Sequence, residues 1–502
     1  MSIDQPISPT ELEICIKVLS KFNSKKNYPL LQSNDYDELL PIIHNIYHIG
    51  KRLKKKRLQD KRQQLKSVDR NAKNTCLLRS GRAKQLEQLP LQHLLVPDGT
   101  VQTSTPAIES ANPAPQRLLN PILCYICKLK YRTLHFFYDR LCPACAKLNF
   151  EKRLQTTDFS NHIALVTGGR MKIGYRIVLK LLRAHCFVIS TSRFPMDFLN
   201  RLKNEHDFNQ WKDQIHIYGV DFRFPQLLER FTELLINKYP RLDFLINNAC
   251  QTIQRSKEFY QHLIPNERLN NYSTLSIDHQ TILDGNLQFY KDLFPLANQY
   301  LLHSSTTTNE PQELLPMVSF DVHQQPIDLR TTNSWMLRLG DLSTNEINEV
   351  LTINTLAPFI LNSKLKPLMS DRHPDPNSKK FIINVSAMEG SFSRTNKTNR
   401  HPHTNAAKAA LNMMTRTSAS DYKASNIYMV SVDTGWINDE KPLERAYYQM
   451  AEHDFQTPLD EEDAAARVLD PIINTYRQLA EGKTDFDIPY GCFLKDYHQC
   501  DW

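Results

Sequence analysis

From about residue 157 onward, short charge-free apolar runs alternate with stretches in which apolar residues recur every three or four positions. Ile163-Ala164-Leu165-Val166 is such a run and reads as a strand buried on both faces. After Thr167-Gly168-Gly169 the pattern changes. Ile173, Ile177, Val178, Leu181 and Leu182 fall at helical spacing, and Phe187-Val188-Ile189 opens a second strand that ends at Thr191-Ser192-Arg193. The unit is β-α-β with a glycine turn at the helix N-terminus, where unpaired backbone N–H groups attract phosphate. The fold predicted for 157–502 is α/β, a doubly wound parallel sheet with helices on both faces.

The first part of the chain is patterned differently. Ser8-Pro9-Thr10-Glu11 has the form of a capping box with proline at the first helical position, followed by an apolar stripe of Leu12, Cys15, Val18, Leu19 and Phe22. A second helix is expected from Asp35 or Asp37 to about Leu65, with Leu39, Ile42, Ile43, Ile46, Ile49 and Leu53 on one face. The two helices are placed together as a hairpin, and a helical region is assigned to 1–95. The stretch 96–120, rich in Pro, Thr, Ser and Ala and without periodicity, reads as a linker.

Next, 121–150 carries Cys124-x-x-Cys127 and Cys142-x-x-Cys145, separated by fourteen residues. Two such knuckles fit tetrahedral zinc held by Cys124, Cys127, Cys142 and Cys145, a closed site that folds its module and leaves no position open for catalysis. A redox dithiol is the competing reading. His135, inside the loop, is read as an ordinary loop residue, since four thiolates suffice.

Composition adds three constraints. The chain has 502 residues, too many for one ordinary domain, and 41% hydrophobic residues, enough for a sizeable core. No window is apolar enough to span a bilayer, and the polar start reads as no signal peptide. Of ten cysteines four are clustered, which favours a reducing, cytoplasmic compartment. Lys51 to Arg62 holds eight basic residues against Asp60, a net +7 of the chain's +8. This block reads as the solvated end of a long helix, or as a nuclear-import signal or a surface for an acidic protein partner. Direct nucleic-acid binding is disfavoured, because a short run without interleaved aromatics supplies only the non-specific phosphate term.

The α/β part resembles the short-chain dehydrogenase/reductase family, whose turn reads T-G-x-x-x-G-x-G. Gly168 and Gly174 match the outer glycines, and Lys172 stands at the middle one. Asp221, the Asn247-Asn248-Ala249 segment (with Cys250 for the family's glycine), Asn354 and the strand Phe381–Val385 follow in the family's order. The resemblance covers roughly two-thirds of the chain. It implies a Rossmann-type domain whose nucleotide site includes Thr167, Gly168, Gly169, Arg170, Ile173, Gly174, Ser192, Arg193, Asp221, Asn247, Asn248, Ala249, Lys408 and Gly435. It also implies homo-oligomers, which this fold often forms. An acidic residue at the end of the second strand would select NAD; Arg193 there, with Arg170 and Lys172 nearby, favours NADP, because a guanidinium matches a 2′-phosphate.

The resemblance further implies an active site of Asn, Ser, Tyr and Lys. Asn354 and Lys408 match, but four residues before Lys408 stands Thr404. Ala387 aligns with the serine, and Ser386 is its neighbour. His401 and His403 lie close to the missing phenol, His403 being the candidate to replace it, although both also read as a polar loop before a helix. Two functions follow. One is an NADP-dependent oxidoreductase acting on an unidentified carbonyl or alcohol, using Asn354, Ser386, Thr404, His403 and Lys408. The other is an NADP-binding scaffold without turnover, recruiting partners through its N-terminal zinc and basic regions. An insertion is expected at about 251–349, helical over Ile282–Leu302, with a flexible tip near Ser304.

Overall fold

The computed structural model describes residues 8–21, 37–87, 116–256, 258–267, 275–283, 286, 320–321, 323–370, 378–394, 397–438, 440–442, 445, 448 and 454–502. The tip near Ser304 and most of the helix read at Ile282–Leu302 lie outside these, as do the linker residues up to 115. The chain divides into two units, Met1–Asn71 and Ala72–Trp502.

The first unit contains helix α1 (Pro9–Lys21) and most of helix α2 (Leu39–Asn74). The capping box forms: the Ser8 backbone N–H donates to the Glu11 carboxylate at 2.8 Å, and Glu11 N–H donates to Ser8 Oγ at 3.3 Å. α1 buries none of its residues, and Leu12, Ile16 and Val18 are exposed, so among the described residues no hairpin packing covers its apolar stripe. α2 continues nine residues past the expected end at Leu65, because nothing in the basic stretch breaks a helix.

In the second unit, helix α3 (Leu77–Glu87) precedes the cysteine module. Strand β1 (Arg117–Leu123) begins inside the stretch read as linker, and pairs antiparallel with β2 (Lys130–Thr133). Helix α4 (Pro143–Leu154) completes the module, starting directly after Cys142.

The α/β domain follows: β3 (Ile163–Val166), α5 (Lys172–Leu182), β4 (Phe187–Ser192), α6 (Pro195–Lys203), β5 (Ile215–Gly219), α7 (Pro225–Lys238) and β6 (Phe244–Asn247). After the insertion come α8 (Thr344–Leu351), α9 (Ala357–Met369), β7 (Lys380–Ser386), α10 (Pro402–Lys423), β8 (Ile427–Asp433), α11 (Glu461–Ala480), β9 (Phe493–Lys495) and β10 (His498–Cys500). The sheet order is β10-β9-β8-β7-β6-β3-β4-β5, parallel throughout except for the β10–β9 pair. The chain winds outward from β3 in both directions, so the β3/β6 boundary is the switch point, where such sheets open a crevice at the strand carboxyl ends.

Period-two alternation distributes the core. Ala164 and Val166 pack on one face with Ile177 and Leu181 of α5 and Val468 and Leu469 of α11. Leu165 packs on the other with Leu228 and Phe231 of α7 and Leu361 and Leu365 of α9. The edge strand β5 is covered from the insertion: Asn286, fully buried, accepts from Gly219 N–H and donates to the Ile217 carbonyl, taking the place of a neighbouring strand.

Candidate active site and metal centre

The turn after β3 keeps the close backbone packing that the pattern of glycines predicts. Gly168 has φ +70°, and a Cβ on it would lie 2.9 Å from the Ala249 Cα. A Cβ on Gly174 would lie 2.1 Å from the Gly168 carbonyl oxygen. Lys172, at the family's middle glycine, adopts φ +52°. The backbone thus keeps a left-handed conformation at a cost of about 1–2 kcal/mol for a side-chain-bearing residue. Lys172 has no ion-pair partner among the described residues. Thr167 and Asn248 tie this turn to β6: Asn248 N–H and Ala249 N–H donate to Thr167 Oγ1 at 3.0 and 2.9 Å, and Asn248 Nδ2 donates to the Thr167 and Gly168 carbonyls. Both residues shape the crevice. Ile173 lies half-buried in the first turn of α5 and packs against the core.

The other expected nucleotide residues separate by their partners. Arg193 leaves the end of β4 and donates to the Tyr260 hydroxyl at 2.7 Å, its guanidinium 4.6 Å from that ring. Ser192 Oγ accepts from Phe194 N–H. Arg170 is buried and paired with Asp197 at 2.6 Å, so its charge is already balanced. Asp221 is chelated by Arg223. Asn247 is turned inward, its Nδ2 donating to Asn362 and Asn384 at 2.8 Å each. Glu267 caps the N-terminus of α6, accepting from Met196 and Asp197 N–H at 3.1 Å each, and burial pushes its carboxyl up to about 7.

At the carboxyl end of β7 the catalytic candidates gather. Lys408, on α10, is buried and donates from Nζ to the Val385 carbonyl at 2.8 Å, one residue before Ser386. A Cβ on Gly390 would strike the Lys408 backbone at 2.7 Å, so this glycine lets the loop after β7 lie against α10. Thr404 lies one turn before Lys408. The hydroxyls of Ser386 and Thr404 are buried and have no hydrogen-bond partner. The same holds for both ring nitrogens of His403, whose Nε2 lies 3.8 Å from the Glu346 carboxylate of α8. Burial lowers the His403 pKa, against the pull of Glu346. His401 is different: it stacks on Trp335 at 3.8 Å and bonds Asn405, so its ring is engaged. Asn354 sits in a π-turn (Thr352–Leu356), with Oδ1 accepting from Gln251 N–H at 2.8 Å and Nδ2 donating to the Gln251 carbonyl at 2.9 Å. Such turns often mark functional sites.

Asp433 joins two of these loops. Its carboxylate accepts from Gly435 N–H and from Met388 N–H, each at 2.7 Å. Gly435 has φ +79° and a Cβ on it would strike Leu459 at 2.5 Å. Asp433, Glu346 and Tyr260 were not singled out by sequence reasoning. Asp433 was visible as the strand-terminal acid before Thr434-Gly435, and Glu346 as the third residue after the Ser343 cap of α8, whereas Tyr260 comes from a short turn without periodicity.

The metal candidates converge. The sulfurs of Cys124, Cys127, Cys142 and Cys145 all lie within 4.8 Å of one another, and those of Cys127 and Cys142 are 3.6 Å apart. Zinc–sulfur bonds of about 2.3 Å in a tetrahedron put neighbouring sulfurs about 3.8 Å apart, so the four thiols fit zinc. Cys142 stands directly before helix α4 and Cys145 lies in its first turn, and burial pushes both thiols up. The Leu129 N–H and the neighbouring thiols hold Cys127 down at about 7. His135 is outside the cluster and accepts from Phe137 N–H.

Comparison with known proteins gives the class. Residues 162–268 and 326–445 match the family model described as short chain dehydrogenase. With the sheet order and the glycine turn, this assigns the α/β domain to the short-chain dehydrogenase/reductase family. The interval between the matched runs, 269–325, falls inside the expected insertion. The chain is 29% identical over 382 residues to an uncharacterized protein of Acanthamoeba polyphaga mimivirus, covering 72% of this chain and 74% of that one. It is 34% identical over 93 residues to a (+)-neomenthol dehydrogenase of Capsicum annuum, covering 18% and 29%. A solved NADPH-bound carbonyl reductase from chicken fatty liver is 17% identical, covers 68% of this chain and 99% of its own, and has a TM-score of 0.39. No helix among the described residues is long and apolar enough to cross a membrane.

Proposed function

We propose that the α/β domain binds NADP in preference to NAD and catalyses hydride transfer between that cofactor and a carbonyl or alcohol. The observation that carries this is the intact glycine packing of the β3 turn with Arg193 standing at the end of β4. The cofactor supplies the hydride. The protein's part is to hold and to move a proton. Lys408, fixed on the Val385 carbonyl, puts a buried positive charge beside Ser386 and Thr404. Those two free hydroxyls are donors for a substrate oxygen. His403, whose burial favours the neutral ring, is the group able to accept a proton. The four thiolates of the N-terminal module hold a structural zinc ion.

Titration of the purified protein with NADP and NAD, followed by fluorescence of the reduced forms, tests the reading. NADP binds more tightly, and Arg193→Ala removes that preference by about 10–100-fold while leaving NAD unchanged, as expected for one charge-assisted contact. Binding of neither nucleotide would refute it. The absence of a phenol at Thr404 favours a second reading, a nucleotide-binding scaffold. Oxidoreduction of any member of a carbonyl panel that disappears in Lys408→Ala excludes the scaffold.

A further inference from the structure

The cysteine module is fastened to the carboxyl end of β8. Tyr125, between Cys124 and Cys127, accepts a hydrogen bond at its hydroxyl from Trp436 N–H at 3.0 Å. Ile437 and Leu459 share one apolar cluster with Cys124, Cys142 and Cys145. Lys495 lies 5.7 Å from the Tyr125 ring and pairs with Asp433 at 3.6 Å. Asp433 in turn holds Gly435 N–H on one side and Met388 N–H, two residues past Ser386, on the other. Below this line of contacts the module is anchored to α11 by buried charges. Arg153 pairs with Asp460 and Asp463, Tyr138 donates to Asp463, and Arg467 pairs with Asp496 while bonding Asn149 of α4. The anchor keeps the module in place, and the Tyr125 contact reaches the loop.

We propose that the four-cysteine site is a metal-dependent brace on the 434–437 loop, with Tyr125 as the positioning residue. Metal on the thiolates fixes the Cys124–Cys127 turn. The turn fixes the Tyr125 hydroxyl, and that hydroxyl fixes Trp436 and the left-handed Gly435 beside the crevice where ligands of such sheets bind. Releasing the metal frees the turn, loosens the loop and weakens nucleotide binding. The proposal rests on the NADP reading of the α/β domain.

The test uses the full chain with two readouts. The first is Trp436 emission, isolated by subtracting a Trp436→Phe variant. The second is NADP affinity. In the zinc-loaded protein, Tyr125→Phe keeps its zinc and its Tm but shifts Trp436 emission and weakens NADP about 3–10-fold, as for one lost hydrogen bond. Removing zinc from the unsubstituted chain with a chelator shifts emission the same way and weakens NADP at least as much. In Tyr125→Phe the chelator adds less, because the link is already cut. Restoring zinc reverses the change. The brace is overturned if Tyr125→Phe and the chelated protein both match the loaded protein in emission and affinity. Emission that follows the metal in a protein binding no NADP supports the brace and overturns the nucleotide reading instead.

Discussion

The turn after β3 and the helix turn before Lys408 each depart from their family at one position, with opposite consequences. At the first, Lys172 replaces a glycine, yet the chain takes φ +52° and the glycines on either side keep their contacts. At the second, Thr404 replaces a phenol, and the buried hydroxyl that results has no partner. A site made of backbone N–H groups tolerates a side-chain change, provided the dihedrals remain reachable. A site that needs an acidic proton does not, because no arrangement of neighbours makes an aliphatic alcohol titrate like a Lys-tuned phenol. The four clustered thiols are the extreme of the second kind, since no other side chain reproduces their sulfur chemistry.

Four measurements press on this contrast. Cys124→Ser with Cys127→Ser removes half the ligands; zinc content falls to background and the module loses protection in hydrogen exchange. Structural zinc binding is worth about 10–16 kcal/mol in small modules, and undiminished zinc content would break the assignment. Next, Thr404→Tyr returns a phenol to its place before Lys408. Reduction of small carbonyls rises about 100-fold or more if the acid is the missing element; a flat response would move the proton to His403, and His403→Gln would then abolish turnover. Third, Glu267 reports on the helix cap beside Arg170. Its folded carboxyl is raised by burial, to about 7, above the ordinary 4.5. The folded state therefore holds that proton where the unfolded chain has lost it. This contribution is full below pH 4.5 and is lost as pH rises toward 7, lowering Tm by about 2–4 °C. Glu267→Gln flattens that part of the profile, and an unchanged profile would refute the assignment. Smallest is Lys172→Gly, which relieves the left-handed strain, changes stability by no more than about 1 kcal/mol and leaves NADP affinity nearly unchanged. A large gain in affinity would show that the lysine obstructs the phosphate turn.

The sheet was legible because its strands are buried on both faces and read as uninterrupted apolar runs, as at Ile163–Val166 and Phe381–Val385. The cysteine cluster was legible because each of its pairs is built from near neighbours in the chain. The roles of Arg170 and Asn247 were not. Both lie where the family meets its nucleotide, yet Arg170 turns to Asp197 and Asn247 to Asn384, because a buried charge or amide is stabilised only by partners brought in from elsewhere. Among the described residues nothing covers the stripe of α1 for a related reason: an apolar stripe states that a face wants cover and not which surface supplies it.

Local sequence determined the elements, the glycine turn, the two Cys-x-x-Cys pairs and the absence of a tyrosine before Lys408, since each depends on a few adjacent residues and on intrinsic side-chain chemistry. Tertiary structure decided the rest. It set Tyr260 on Arg193, and Glu346 near His403. It joined Asp433 to two loops and docked the cysteine module, through Tyr125, on the end of β8. The contacts between distant segments join residues from 45 positions apart, as with Met388 and Asp433, to 311, as with Tyr125 and Trp436. Their partners are chosen by which surfaces the folded sheet brings together, and no local periodicity encodes that choice.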